Sequence, residues 1–132
     1  ISLQSIPTIN GKHNSGQAYP EVLSVIATGG AVAITLWQTV DITGASWVIG
    51  SGTTSILGST AGSLNLSGAR KFATFFVAEG VANIDLTPYF EVNDEGIMSQ
   101  ADGVGEVWAI TSTKLSGTTV TTGCNLAYRE LW

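Results

Sequence analysis

Apolar and polar residues alternate in short runs along this chain, and no segment carries apolar residues at the three-and-four spacing of an amphipathic helix. The clearest alternation is Asn83–Asn93 (NIDLTPYFEVN). There Ile84, Leu86, Phe90 and Val92 share one face, and Asp85, Thr87, Tyr89, Glu91 and Asn93 the other. Pro88 falls on the apolar face and has no N–H for a ladder, so the spacing predicts an edge strand or a bulge. In Ala31–Val40, Val32, Ile34 and Leu36 share one side and Ala31, Ala33, Thr35 and Trp37 the other, as in a sandwich strand covered on both faces. Phe72–Glu79 (FATFFVAE) is the strongest apolar run and reads as a central strand, with Phe72, Thr74 and Phe76 on one face and Phe75 and Val77 on the other. A buried Phe76 implies a loss of about 3–5 kcal/mol on truncation to Ala.

Shorter strand candidates are Glu21–Ala27, Ser46–Ile49, Ser55–Leu57, Ser63–Leu66, Glu106–Thr113, Thr118–Thr121 and Asn125–Trp132. Breaks between them are rich in Gly. Gly29-Gly30 suits a tight hairpin turn, and Asn10-Gly11 and Asn93–Gly96 are turn signals. The expected fold class is therefore all-β: a single-domain antiparallel β-sandwich or jelly roll of about 8–10 short strands over 21–132, preceded by an extended N-terminal arm over 1–20. One internal echo stands out. Val40-Asp41-Ile42-Thr43-Gly44-Ala45 matches Leu64-Asn65-Leu66-Ser67-Gly68-Ala69, which reads as two equivalent strand-to-turn transitions.

Composition narrows the function. The 132 residues are 44% hydrophobic and only 11% charged, so disorder is excluded and one ordinary core is expected. The net charge is −5 and the five basic residues are scattered, which leaves no stripe for a phosphate backbone and no nucleic-acid partner. No apolar stretch approaches the length of a membrane helix, so membrane insertion is not expected. A single cysteine and a single histidine remove internal disulfides, multi-cysteine zinc sites and most acid–base designs.

Each remaining candidate for chemistry has a plainer reading. His13 sits in a polar stretch of the arm, and Cys124 reads as a small buried hydrophobe with no basic neighbour in sequence. Asp94, Glu95, Asp102 and Glu106 form an acidic cluster that could gather oxygen ligands, but the spacing matches no EF-hand loop, so a solvated loop is expected. On one strand Asp85 and Glu91 would stand about 20 Å apart, too far for a glycosidase pair. Trp37, Trp47, Trp108 and Trp132 with Tyr19, Tyr89 and Tyr128 could build a sugar platform, or could simply be core. Asn65-Leu66-Ser67 is formally a glycosylation sequon. No catalytic residue and no cofactor is expected, and the chain does not read as an enzyme.

The ends read as contact elements. Ile1, Leu3, Ile6, Ile9 and Tyr19 in the arm and Trp132 at the other end are candidate interface residues, available to neighbouring copies. Deleting residues 1–20 is accordingly expected to leave a folded domain that no longer assembles. The start at Ile1 is open to two readings, a preceding methionine or a leader removed by proteolysis.

The stretch Leu64–Asn93 resembles a phrase of small β-sandwich virion proteins of tailed bacteriophages. In these a strand ending in the pattern of Leu64–Ala69 leads into an aromatic-rich strand and then into one like Ile84–Tyr89, and Leu126–Leu131 is similar to their late strand. The resemblance covers about half the chain. It implies a virion component: a capsid decoration (cement) protein, a head fibre or a tail part, most simply the first. Its partners would be the major capsid protein or tail proteins and copies of itself in a homo-oligomer or lattice, with no catalytic residues. Two other readings fit the composition: an extracellular surface-filament subunit or adhesin module, and a carbohydrate-binding module.

Overall fold

Strands dominate the residues that the computed structural model describes, which are 1–5, 8–9, 12–13, 17–49, 56–59, 62–90, 97–98 and 107–131. In chain order they are β1 (Ser2–Ser5), β2 (Thr8–Ile9), β3 (Lys12–His13), β4 (Gln17–Thr28), β5 (Val32–Gln38), β6 (Asp41–Thr43), β7 (Val48–Ile49), β8 (Ile56–Ser59), β9 (Ser63–Asn65), β10 (Arg70–Val77) and β11 (Gly80–Asp85). After these come a one-turn helix α1 (Thr87–Phe90), β12 (Ile97–Met98), β13 (Val107–Lys114) and β14 (Thr121–Leu131). All the pairings are antiparallel. A six-stranded sheet runs β10-β5-β13-β1-β8-β7, and a second sheet sets β4 between β14 on one side and β11 with β12 on the other. The chain is thus an all-β sandwich, as its alternating pattern predicts.

Three connections cross between the sheets at one end. β4 passes to β5 through Gly29–Ala31, β10 to β11 through Ala78-Glu79, and β13 to β14 through Leu115–Val120. The order β10-β5-β13 in one sheet matches β11-β4-β14 in the other, so the crossings stack as three arches. Gly29-Gly30 therefore turns the chain as expected, but into the opposite sheet; it closes no hairpin. Thr118–Thr121, expected as a strand, lies mostly in the third arch for the same reason. Hydrogen bonds tie the arches together. Leu115 N–H donates to the Ala31 carbonyl (2.9 Å), Ala31 N–H to Ser116 Oγ (3.0 Å), and Gly29 N–H to Glu79 Oε1 (2.9 Å). Gly117 takes φ +84°, and a Cβ there would run into the Gly29 carbonyl oxygen, so both the conformation and the close approach require glycine.

The inner faces meet in one core. Val32, Ile34 and Leu36 of β5, Val77 of β10, Trp108 and Ile110 of β13, and Leu3 of β1 face Tyr19, Leu23, Val25 and Ala27 of β4. Leu86 and Phe90 plug the end away from the arches and are fully buried. The period of two predicts the β5 face correctly.

Parity fails at Phe72. The β10–β5 register shifts between Lys71 and Ala73, so Phe72 is the extra residue of a bulge and turns inward. Its ring stacks on Phe90 (centroids 4.7 Å) and meets Trp108 edge-on (5.1 Å). Phe76, expected in the core beside it, is instead 77% exposed, and β10 is an edge strand and not a central one. The strand expected over Asn83–Asn93 also ends early, at Asp85. Asp85 Oδ1 accepts the Thr87 N–H (3.0 Å), and α1 begins with Pro88 in its first turn, where the missing donor breaks no helical bond. The rest of that candidate, 91–93, lies outside the described residues, as do the turn signals Asn10-Gly11 and Asn93–Gly96.

Residues 1–20 do not form an arm apart from the sandwich. β1 inserts between β13 and β8 in the six-stranded sheet, and β4 begins at Gln17. The physical reason is the unpaired edges that β13 and β8 would otherwise present to each other across a gap. β2 and β3 pair Thr8 with His13 and Ile9 with Lys12. The two echo segments are partners, but not equivalent transitions: β6 runs to Thr43, just before Gly44, whereas β9 stops at Asn65 and Ser67-Gly68 already turn. β6 and β9 pair Asp41 with Asn65, the same position in each copy, and Gly44 and Gly68 both have positive φ (73° and 88°).

Phe72→Ala is expected to cost about 3–5 kcal/mol and Phe76→Ala under about 1 kcal/mol in urea unfolding. Equal losses would contradict the bulge.

Candidate interaction surface

The two most exposed large apolar side chains among the described residues, Phe76 and Val81, lie where the sandwich ends sideways. β10 and β11 each form one edge of their sheet (β7 and β14 form the other edges), and the arch Ala78-Glu79 joins them, so these two edges lie on one flank of the molecule. On the outer face of the first sheet Phe76 stands opposite Ala33, with Thr74 opposite Thr35 and their hydroxyls 3.2 Å apart. On the outer face of the second, Val81 (74% exposed), Ile26 (49% exposed) and Gly123 form a row across three strands. Burying a side chain of that size contributes about 1.5–3 kcal/mol, which Phe76 and Val81 forgo in the isolated chain. Beside this row, Ser24, Ile26, Val81, Gly123 and Asn125 line a shallow groove of about 400 Å³. Ser24 Oγ donates to Asn83 Oδ1 there (2.7 Å). Charge brackets the edge: Lys71 lies over the Trp37 ring (5.4 Å) at the start of β10, and Glu79 follows its end.

The residues proposed from sequence go elsewhere. Leu3 (8% exposed) and Tyr19 (4% exposed) are core and have no side-chain surface left for a neighbour. Ile1 is partly exposed, but its backbone extends the β13 ladder, since Ile110 N–H donates to the Ile1 carbonyl (2.7 Å). Ile6 and Trp132 lie outside the described residues, as does the side chain of Ile9. The structure does not bring Ile1, Leu3 and Tyr19 onto one surface. Phe76, Val81 and Ile26 were the residues missed. For Phe76 the signal was the charged bracket around an apolar strand, masked by a bulge that reverses the apparent face, and for Val81 and Ile26 the sequence carried none.

Other candidate chemistry is dispersed. Trp108 and Tyr19 are buried, and Trp37 is half-buried on the outer face of the first sheet, where its Nε1–H donates to Thr111 Oγ1 (2.9 Å). Tyr89 sits on α1, edge-on to Phe75 (5.4 Å). These aromatics do not share one platform. Asp94, Glu95, Asp102, Glu106 and the His13 side chain lie outside the described residues. Among the described residues no group of three or more His, Cys, Asp or Glu could hold a metal ion. No helix there is long and apolar enough to cross a membrane. Arg129 and Glu21 form an ion pair (3.4 Å), both 41% exposed, which contributes little in water.

Cys124 lines a second cavity of about 330 Å³ between the sheets, with Ile1, Ile34, Ile110, Ser112 and Thr122. Burial pushes its thiol above the ordinary cysteine value. No protein-family model, curated protein or solved structure matches this chain.

The raised Cys124 pKa favours the neutral thiol in the folded state. Alkylation by iodoacetamide is expected to be slower than for a free cysteine at neutral pH, and still rising with pH where the free thiol has levelled off. The fold should lose stability as pH rises through that range. A free-cysteine rate profile would contradict the burial.

Proposed function

We propose that this chain is a non-enzymatic structural protein of a tailed-bacteriophage virion. Its role is that of a capsid decoration protein, strengthening the shell through contacts with the major capsid protein and with copies of itself. The observation that carries the reading is the exposed apolar flank formed by Phe76 and Val81 on two edge strands, with Ile26 beside Val81 on the neighbouring β4. An uncovered edge is a template for pairing with another chain, and isolated proteins ordinarily blunt it. A rigid sandwich whose crossings are bonded to one another suits work done by burying surface, and interfaces of this kind bury at least about 1,000 Å². The resemblance of Leu64–Asn93 to small virion sandwiches supports the same reading.

A surface-filament or adhesin subunit draws on the same open edges, through strand donation. Gold-labelled antibody raised against the folded chain separates the two. Regular labelling of phage shells from a culture carrying the gene is expected, with shells from a deletion strain bursting at lower temperature. Label confined to cell-surface filaments, or particles without label, would overturn the virion reading.

A further inference from the structure

We propose that the edges of β10 and β11 pair with the same edges of a second copy of this chain about a two-fold axis. The pairing would extend both sheets at once. It rests on the contact reading of function and names the partner. Among the described residues no strand pairs with the outer edge of β10 or of β11. Because the arches stack in one order, the two edges lie on the same flank, one in each layer. A two-fold axis normal to the sheets turns each edge antiparallel to its own copy, so one operation satisfies both layers.

Parity places the axis on a residue, and Phe75, the middle of the straight segment Ala73–Val77, is that residue in the proposed pairing. Residues directly opposite in an antiparallel pair share a face. With Phe75 on the axis, Thr74 of one copy lies beside Phe76 of the other, and Ala73 beside Val77. The exposed Phe76 rings then flank the axis on the outer face and cover surface that each copy alone leaves in water. Phe75 stands three residues before the arch and Ala82 three after it, so the same axis passes β11 near its middle. The bulge at Phe72 limits the β10 ladder to Ala73–Val77, a segment with neither charge nor proline to repel a second strand.

Charge selects this partner over others. The segment Lys71–Glu79 is basic at its start, acidic at its end and uncharged between. With the bulge counted, antiparallel copies bring Lys71 of each across from Ala78 of the other, next to its Glu79, whereas a parallel pairing would set like charges together.

Sedimentation equilibrium of the full chain tests the pairing, with circular-dichroism melting to verify each fold. A concentration-dependent dimer is expected, weakened by added salt. Lys71→Glu and Glu79→Lys should each raise the dimer Kd by at least about tenfold, and the double variant should restore it. Phe76→Ser should weaken it, with the melting temperature unchanged at concentrations where the parent is monomeric. Glu79 also accepts the Gly29 N–H, so Glu79→Gln, which keeps an acceptor and loses the charge, and Lys71→Glu carry the test if Glu79→Lys does not fold. A chain that stays monomeric, single reversals that dimerise like the parent, or a double variant no better than the singles would overturn the proposal. A dimer that forms in this way while particles stay unlabelled keeps the pairing and removes the virion reading. Labelled particles with a monomeric chain do the opposite.

Discussion

Everything in this molecule depends on the registration of three backbone crossings at one end of two sheets. A strand buried between neighbours must give every N–H and carbonyl a partner. β4 and β5 do so with different neighbours in different layers, and the turn between them has to deliver the chain from one layer to the other. The arches stack closely enough that carbonyls of one meet the glycines of the next, and Ala31 both gives and receives bonds from the Leu115–Ser116 turn. The core then follows: with the crossings aligned, the inner faces of β5 and β4 lie over each other, and their Val, Ile and Leu side chains have nowhere else to go.

That constraint also explains the open flank. A stack of arches has two outer members. On the β13 side, β1 continues the first sheet through to β8 and β7. On the β10 side the first sheet stops, and β11 ends the second sheet beside it over the upper part of β4. The exposed Phe76 and Val81 are thus a property of where the stack terminates. They carry the proposed contact role because edge strands and uncovered apolar side chains occur together there.

Much of the fold was legible in the residues because a strand's alternation is local. Val32, Ile34 and Leu36 show their shared face directly, and the echo marks two glycines of positive φ, Gly44 and Gly68. What was not legible depends on events that leave no local mark. A bulge without glycine at Phe72 exchanges the faces of everything before it. Gly29-Gly30 looks the same whether the chain returns to its own sheet or leaves it. Pro88 suits an edge strand and the first turn of a helix equally, and the Asp85 carboxylate decides for the helix. Leu3 and Tyr19 looked like contact residues because apolar side chains near a chain end carry no sign of the gap they fill. The true surface at Phe76 was concealed by the same bulge that placed Phe72 inside.

The stacked crossings set where this protein can change over evolutionary time. Each loop at that end serves as the floor of the next, so an inserted residue in one would displace its neighbour's carbonyls and not merely bulge into solvent. Lengthening, new specificity and added decoration are left to the opposite end and to the flank, where a substitution alters what the molecule touches and leaves untouched how it folds.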